Sequence, residues 1–375
     1  MFSYPEYPKG DNTKGNYSLT VYLKIIKMKE VLKQVLGVDV AQKELLVSLG
    51  RVFDDFSQEI YAYNVFKNTP KGMNDLLKWA EKLILDMTSF LVVMEATGVY
   101  HEKFAYFLDD KGYKLSIVLP NKISNYMRTL DTKTVTDKSC SEAIARFGLE
   151  RKLTEWKRPN VIYKTLKQLT RERDQIVASR SVVKNQLHAE QSEACPVKST
   201  IRRCNELIKF LNKQEAQIKI ELEEVKDQEI KDKIKKITTI PGVGILTATI
   251  VLAETNGFEL IKNKKQLTSY AGLDVREKQS GTSVKGKPRI SKKGNRSIRK
   301  AMHFPALSPV KHDQGYKATY ASLVSKNGIK MKGLVAVQRK LLELIYVIYK
   351  NDTVYDAEFE KKKREQQILA TPLTS

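Results

Sequence analysis

The sequence predicts three structural parts: an α/β domain with a mixed sheet, an antiparallel coiled-coil hairpin, and a mostly α-helical C-terminal domain. Three observations carry this prediction. Apolar runs rich in Val, Leu, Tyr and Phe alternate with helical patterns between residues 35 and 119. Apolar residues then recur every seven positions between 162 and 225. A glycine-containing turn at 240–244 precedes further apolar helical segments.

Length and composition limit the possible functions. The 375 residues suffice for two or three domains with real cores, and the net charge of +23 indicates a polyanionic partner, most commonly nucleic acid. The alternative is a basic enzyme unrelated to nucleic acid. Three cysteines without paired spacing and four histidines argue against disulfides, zinc and a His-rich metal centre. Without a long apolar run or a visible signal peptide, we expect a cytosolic protein that acts on the chromosome.

The first domain is expected over residues 28–158. Residues 1–27 are polar and lack a period, so we expect a disordered extension or a misplaced start codon. Three strands in a row, followed by alternating helices and strands, predict a mixed sheet. The predicted strands are 35–40, 45–52, 60–66, 90–94 and 114–119, and the predicted helices are 68–85 and 100–111.

The coiled coil is expected over residues 159–234, with its two helices joined near Pro196. Its apolar positions are Ile162, Leu169, Ile176 and Val183, with Leu166 and Leu187, and then Cys204, Leu211, Ile218 and Val225, with Ile201, Ile208 and Leu222. Such a hairpin is either a dimerisation or nucleic-acid-spanning arm or a plain spacer between domains, since heptads determine packing and not purpose.

The C-terminal domain is expected over residues 235–356, followed by a disordered tail at 357–375. The segment Ile240-Pro-Gly-Val-Gly244 predicts a helix-hairpin-helix element that grips the DNA backbone. Gly242 and Gly244 would let the backbone approach a phosphate at the start of the next helix. The alternative is an ordinary connection between helices, and the basic surroundings favour the DNA-binding interpretation.

Three acidic residues in the first domain indicate a metal site. Asp39 lies in the apolar run 35–40, Glu95 ends the run that begins at Phe90, and Asp137 opens a predicted helix. Burying such charges is costly unless they bind a ligand. Carboxylates on rigid supports hold Mg²⁺, and two ions can stabilise the attacking and leaving oxygens at a phosphodiester. The pattern indicates a ribonuclease-H-like metal site; the alternative is polarity at strand ends that face solvent.

Ser280 begins a very basic loop. Eight Lys and Arg residues and no acid lie between 285 and 300, and glycines and Pro288 interrupt the run, which predicts a shaped loop leading into a helix near Asn295. The residues expected to bind phosphates are Lys285, Lys287, Arg289, Lys292, Lys293, Arg296 and Arg299; the alternative is a solvated charge run. Ser280 could attack a phosphodiester among these cations. The residues alone do not distinguish it from Ser283 or Ser291.

These motifs resemble the insertion-sequence transposases with an Asp-Glu-Asp-Asp site, relatives of the pilin-gene invertases, some of which are bridge-RNA-guided serine recombinases. The resemblance extends from about Val35 to Asp356. It rests on Gly37-Val-Asp39, Glu95-Ala-Thr-Gly98, Thr136-Asp137 after Pro120, Trp156 with Pro159, Ile240-Pro-Gly-Val-Gly244, Tyr270-Ala-Gly-Leu273, Ser280-Gly281, and Ile290-Ser-Lys-Lys-Gly294 with Arg299.

The resemblance implies a RuvC-like, ribonuclease-H-like first domain and a C-terminal transposase domain with a catalytic serine. Asp39, Glu95 and Asp137 correspond to three carboxylates that bind Mg²⁺, and Ser280 to a nucleophile that forms a transient phosphoserine link to DNA. The implied partners are DNA at element ends and target, a structured guide RNA, and further copies in a dimer or tetramer that share active sites. The implied location is the prokaryotic cytoplasm, at the nucleoid and not at a membrane.

The chain departs from the family pattern at the fourth acid, where Cys140 stands. A thiol is a poor ligand for Mg²⁺. Three explanations stay open, in this order: three carboxylates suffice, Glu142 reaches in through a local distortion, or this copy is impaired. Glu142 is an awkward substitute because it lies about 140° around a helix from Asp137.

Two other functions also stay open. One is a RuvC-like nuclease that cuts branched DNA with metal-activated water. The other is a catalytically decayed copy that only binds nucleic acid, which the cysteine at position 140 would favour.

Overall fold

The computed structural model describes residues 29–96, 98–130, 134–225, 227–259, 261–277, 279–280, 284–286 and 288–359. For residues 279, 280, 284, 285 and 327 the description covers the backbone alone. The predicted extension at 1–27 and nearly all of the predicted tail lie outside these residues. The chain divides into two compact units, residues 1–158 and residues 159–375.

The N-terminal unit contains a five-stranded mixed sheet, which confirms the predicted fold class of this part. Its strands are β1 (Val31–Val40), β2 (Glu44–Phe53), β3 (Gln58–Lys67), β4 (Phe90–Glu95) and β5 (Leu115–Val118). Its helices are α1 (Pro70–Glu81), α2 (Tyr100–Asp110), α3 (Pro120–Met127) and α4 (Asp137–Glu150). The strand order is β3-β2-β1-β4-β5, in which β2 is antiparallel to β1 and β3, and β4 is parallel to β1 and β5.

Helices cover both faces of this sheet. On one face, Leu36 and Val38 of β1 belong to a core that also holds residues of α1 and α2. On the other face, Val35 belongs to a core with residues of α3 and α4. The alternation follows from the two-residue period of a strand. The stretches 35–38 of β1 and 90–94 of β4 are buried almost throughout, and both are wholly apolar up to the acid that follows.

The C-terminal unit is mostly helical and has one large core. Its helices are α5 (Val161–Ser192), α6 (Lys198–Glu223), α7 (Gln228–Thr238), α8 (Ile245–Thr255), α9 (Lys264–Tyr270), α10 (Arg296–Ala301), α11 (Leu307–His312), α12 (Gln314–Asn327) and α13 (Lys330–Asn351). Four two-residue strands are β6 (Val275–Arg276), β7 (Gln279–Ser280), β8 (Val284–Lys285) and β9 (Arg289–Ile290). Helix α7 spans the predicted domain boundary at residue 235, and residues of α5 and α6 share the core with α8 and α13.

Helices α5 and α6 form an antiparallel hairpin joined by residues 193–197. Its buried residues include five of the predicted heptad positions: Leu166, Val183, Cys204, Ile218 and Leu222. The buried Glu215 lies among them, and its carboxylate forms salt bridges with Arg173 at 2.7 Å and with Arg180. Burial alone would raise the pKa of Glu215, but the hydrogen bond from Arg180 and the charges of Arg173 and Lys219 lower it.

No helix in the described ranges is both long enough and apolar enough to cross a bilayer.

Replacing Glu215 with Ala should lower the free energy of unfolding by about 2–3 kcal/mol, because two largely buried guanidiniums lose their partner. Since the folded-state pKa is lowered, this contribution should be present above pH 4.5, the ordinary value for this carboxyl. It should be lost as the pH falls through the folded-state value. Urea unfolding at neutral and acidic pH measures both effects. Glu206→Ala, in an exposed pair with Arg202 on the same helix, is the control; an equal loss there would contradict the account.

Candidate active site

Asp39 and Glu95 lie side by side at the ends of two parallel strands. The register pairs Val38 of β1 with Met94 of β4, so each acid occupies the next position along its strand. Alternate residues of a strand share a face, and Val93 packs in the core beneath α3 and α4. Both half-buried acids therefore lie on the face that these helices cover.

Helix α4 approaches β1 closely because Gly37 has no side chain. A Cβ atom at Gly37 would lie 2.3–2.7 Å from backbone atoms of residues 141–145. Further along the helix, a Cβ atom at Gly148 would lie 2.8 Å from Val35. The helix therefore runs antiparallel to β1, and its N-terminus lies beside the end of the strand that carries Asp39.

Polar contacts hold α4 in this position. The Lys33 ammonium donates to two carbonyl groups at the C-terminal end of the helix, at 2.5 and 3.2 Å. The Ser48 and Ser141 hydroxyls form a buried hydrogen bond of 2.7 Å between β2 and the helix. Thr136 and Ser139 form a reciprocal cap at its N-terminus. The end of α4 that carries the third acid is thus fixed relative to the sheet.

Asp137, the first residue of α4, is exposed and within electrostatic reach of the strand ends. Burial raises the pKa of Asp39, the charge of Asp137 raises it further, and a hydrogen bond from the Val40 backbone lowers it. Burial and then the charge of Asp39 raise the pKa of Glu95. The structure therefore gathers the three predicted carboxylates at one edge of the sheet, where their like charges oppose one another.

The fourth position of this cluster belongs to Cys140, which is half-buried one turn into α4. Burial raises the pKa of the Cys140 thiol, and the charges of the three carboxylates raise it further. Glu142 instead lies 3.9 Å from the Lys138 ammonium. The structure thus groups Cys140 rather than Glu142 with the acids.

The donor atoms suit Mg²⁺, which prefers carboxylate oxygens. Within the described ranges, however, no three His, Cys, Asp or Glu side chains are arranged to hold an ion as they stand. An ion would have to draw the carboxylates together, which their mutual repulsion otherwise prevents. Asp39, Glu95 and Asp137 are the residues that would hold it, and the Cys140 thiol is the poor donor of the set.

The two glycines of the segment Ile240–Gly244 differ in their surroundings. Gly242 has a φ of +87°, and a Cβ atom there would lie 2.6 Å from the carbonyl oxygen of Pro305, so this glycine serves close packing within the protein. Gly244 precedes α8, has no neighbour within 4 Å of a built Cβ atom, and gives the helix no side-chain cap. Only the second glycine presents open backbone of the kind that a phosphate needs.

The predicted loop around Ser280 contains a hairpin that the sequence does not predict. Strand β6 pairs with β9 and β7 pairs with β8, so two short ladders are nested within residues 275–290. Ser280 is the last residue of β7 and lies opposite Val284. Residues 281–283 and Lys287 lie outside the described part, as do the side chains of Ser280 and Lys285.

Most of the predicted phosphate-binding cations that the structure describes are exposed: Arg289, Lys292, Lys293 and Arg296. Arg299 is an exception. Its guanidinium donates to the carbonyl oxygens of Ala271 at 2.8 Å and Gly294 at 3.0 Å. Arg299 therefore binds the protein backbone around the C-terminus of α9, and contacts to phosphate would fall to the exposed cations.

Sequence reasoning missed Glu254, whose side chain is fully buried within α8. It accepts hydrogen bonds from Arg171 at 2.8 and 3.0 Å and from Asn295 at 2.7 Å. Burial alone would raise the pKa of Glu254, but the hydrogen bonds from Arg171 and Asn295 and the charge of Lys167 lower it. The signal was available, because Glu254 is the one charged residue in the apolar segment 245–255.

Asp39→Asn should raise the melting temperature of the metal-free protein by about 2–4 °C, because it removes one of three opposing charges. Added Mg²⁺ should raise the melting temperature of the wild-type protein and affect the variant little. Thermal unfolding in EDTA and in Mg²⁺ measures both effects. Asp75→Asn, an exposed acid on α1, should change neither. An Asp39→Asn protein with the full Mg²⁺ response would contradict the assignment.

Cys140→Asp should lower the Mg²⁺ concentration needed for half of that thermal shift by roughly an order of magnitude, because it adds a charged oxygen ligand. DNA cleavage should stay similar or rise. Glu142→Gln is the matched control, and it should leave the Mg²⁺ response unchanged because Glu142 is grouped with Lys138. If Glu142→Gln weakened the response and Cys140→Asp did not strengthen it, the fourth position would belong to Glu142. A loss of activity in Cys140→Asp would show that the cysteine has a role of its own.

Two family models and a solved structure match parts of this chain. Residues 36–196 match the family model of the DEDD transposase of IS110, described as "Transposase", and residues 234–321 match the "Transposase IS116/IS110/IS902 family". The solved structure of Thermus thermophilus RuvC with a Holliday junction substrate aligns over 33% of this chain and 99% of its own, at 11% identity and a TM-score of 0.24.

Two curated relatives cover most of the chain. The "Pilin gene-inverting protein" of Moraxella bovis is 28% identical over 300 residues, which span 78% of this chain and 89% of that protein. The "Transposase for insertion sequence element IS1111A" of Coxiella burnetii is 24% identical over 359 residues, which span 88% and 92%. The chain therefore carries two segments, 36–196 and 234–321, that match IS110-family transposase domains.

Proposed function

We propose that this chain is the transposase of an insertion sequence, which cuts and rejoins DNA strands with Mg²⁺ and a serine nucleophile. The observation that supports this most is the gathering of Asp39, Glu95 and Asp137 on one face at one sheet edge. The relatives support the class of reaction, because one is named for gene inversion and another for transposition.

The three carboxylates would act as a rigid holder. Asp39 and Glu95 project from adjacent strands whose backbones are hydrogen-bonded to one another, and Asp137 arrives on a helix that is fixed at both ends. When bound, Mg²⁺ would stabilise negative charge on the attacking and leaving oxygens of a phosphodiester. The partial burial of Asp39 and Glu95 would strengthen their attraction for the ion, because charges interact more strongly where the effective dielectric constant is low.

Ser280 would provide the attacking oxygen. As its Oγ–P bond forms, one bridging P–O bond of the DNA breaks, and the serine proton ends on the DNA hydroxyl that leaves. Attack by a DNA hydroxyl on the phosphoserine reverses these changes and joins a strand. The bond energy is kept in the protein–DNA link, so the exchange requires no nucleotide cofactor. The exposed cations Arg289, Lys292 and Lys293 would hold the neighbouring phosphates.

The partners of this reaction would be the DNA of the element ends and target, and a structured guide RNA. Residues 262–340 hold 20 Lys and Arg and 3 Asp and Glu, which supports binding of either nucleic acid. The open backbone at Gly244 would bind a DNA phosphate in the manner of a helix-hairpin-helix element. The α5–α6 hairpin would act as a coiled coil that joins copies of the chain into a dimer or tetramer. The reaction would take place in the cytoplasm, at the nucleoid.

Ser280→Ala should abolish DNA cleavage and the covalent protein–DNA complex, and it should leave DNA binding intact. The assay uses the full-length protein, RNA transcribed from the region, and a plasmid that carries the gene with its flanking DNA. Denaturing gels detect the covalent complex. Ser325→Ala, an exposed serine on α12, is the control. Cleavage by Ser280→Ala at the wild-type rate would identify a hydrolytic nuclease, and binding without cleavage by the wild-type protein would identify a decayed copy.

A further inference from the structure

The hairpin of residues 275–290 leaves the helical core between Asp274 and Ser291. The Ser291 backbone N–H donates to the Asp274 carbonyl oxygen at 2.8 Å. The Ser291 hydroxyl donates to the Asp274 carboxylate at 2.5 Å. The same hydroxyl accepts a hydrogen bond from the backbone N–H of Lys293 at 3.3 Å. One side chain thus ties the two ends of the hairpin to each other and to the turn that follows.

That turn is itself packed against the core. The Lys292 N–H donates to the Gly272 carbonyl oxygen at 3.1 Å, and the Asn295 N–H donates to the Tyr270 carbonyl oxygen at 2.7 Å. A Cβ atom at Gly294 would lie 2.4 Å from the Tyr270 carbonyl oxygen. The base of the hairpin therefore has a fixed support, whereas the described residues of the hairpin itself form two ladders of two residue pairs each.

The length of the hairpin makes its base important. Ser280 lies five positions after Val275, the start of β6, and five positions of chain span at most about 17 Å. A tilt of about 10° at the base would therefore move the end of that segment by up to about 3 Å. A misplacement of about 1 Å at a reacting group can slow a reaction about 100-fold. A loosened base would therefore slow chemistry at Ser280 while leaving the cations available for binding.

We propose that Asp274 and Ser291 are positioning residues for Ser280, and that their hydrogen bond sets the direction in which the hairpin presents Ser280 to the scissile phosphate. This inference rests on the proposed function of Ser280 as the nucleophile. The Ser291 hydroxyl is not assigned as the nucleophile, because it already forms hydrogen bonds with the Asp274 carboxylate and the Lys293 backbone N–H.

The test compares variants that lose the contact with variants that keep it. Ser291→Ala and Asp274→Ala remove it, whereas Ser291→Thr and Asp274→Asn keep a hydroxyl donor and an oxygen acceptor. Hydrogen exchange of the free full-length protein should be about tenfold faster at hairpin amides in the Ala variants, the effect of one hydrogen bond. It should be unchanged in α8. The two conservative variants and Ser325→Ala should resemble the wild-type protein.

The same variants test the reaction on the plasmid that carries the gene and its flanking DNA. Each Ala variant should slow formation of the Ser280–DNA adduct by about tenfold or more and change plasmid binding by less than about twofold. The double Ala variant should be no slower than the slower single variant, because both remove one contact. The conservative variants should restore the rate.

Three results would overturn the inference: hairpin exchange that is unchanged in the Ala variants, effects on the adduct rate that multiply in the double variant, or an adduct that mass spectrometry locates on Ser291. If the wild-type protein formed no adduct that Ser280→Ala abolishes, the proposed function itself would fail. Hydrogen exchange needs no DNA, so it decides separately whether the contact between Asp274 and Ser291 fixes the hairpin.

Discussion

The candidate active site depends on the close contact between α4 and β1 at Gly37. A methyl group at that position would overlap the backbone of residues 141–145, so the helix would have to move away and take Asp137 and Cys140 with it. The carboxylates do not attract one another; their charges oppose ionisation. Backbone packing and the contacts of Lys33 and Ser48 bring them together. The free energy of folding thus holds together a cluster of like charges whose repulsion a bound cation would relieve.

The two units contain clusters of opposite charge. The edge of the N-terminal sheet gathers three carboxylates, and residues 262–340 carry a large excess of Lys and Arg. The phosphates of DNA would neutralise the excess of Lys and Arg, and a cation bound beside them would neutralise the carboxylates. In the proposed reaction, bound DNA would bring the carboxylates and Ser280, from one subunit or from two, to the same phosphodiester bond. The contact of Asp274 with Ser291 would then set the direction from which Ser280 approaches this bond.

Much of the N-terminal unit could be predicted because its strands are apolar runs bounded by polar residues, and Asp39 and Glu95 stand out against them. Helix α3 was not predicted, although Pro120 directly follows the predicted strand 114–119 and proline is favoured in the first turn of a helix. The hairpin around Ser280 was not predicted because each of its four strands has two residues, too few to show an apolar alternation. Arg299 was predicted to bind phosphate because it lies in a basic run. Its carbonyl partners could not be predicted, because they depend on tertiary structure. Cys140 was expected at the fourth position from the resemblance, and the close contact of α4 with β1 places its thiol near the three acids.

The most direct test of the account replaces Mg²⁺ with Fe²⁺ and maps the cuts that hydroxyl radicals make in the polypeptide around the bound ion. In the free protein, cuts should fall near Asp39, Glu95 and Asp137. When the plasmid with the flanking DNA is bound, new cuts should appear within residues 275–290. Active complexes that cleave DNA without any cut in the hairpin would contradict the claim that the carboxylates and Ser280 act on the same phosphodiester.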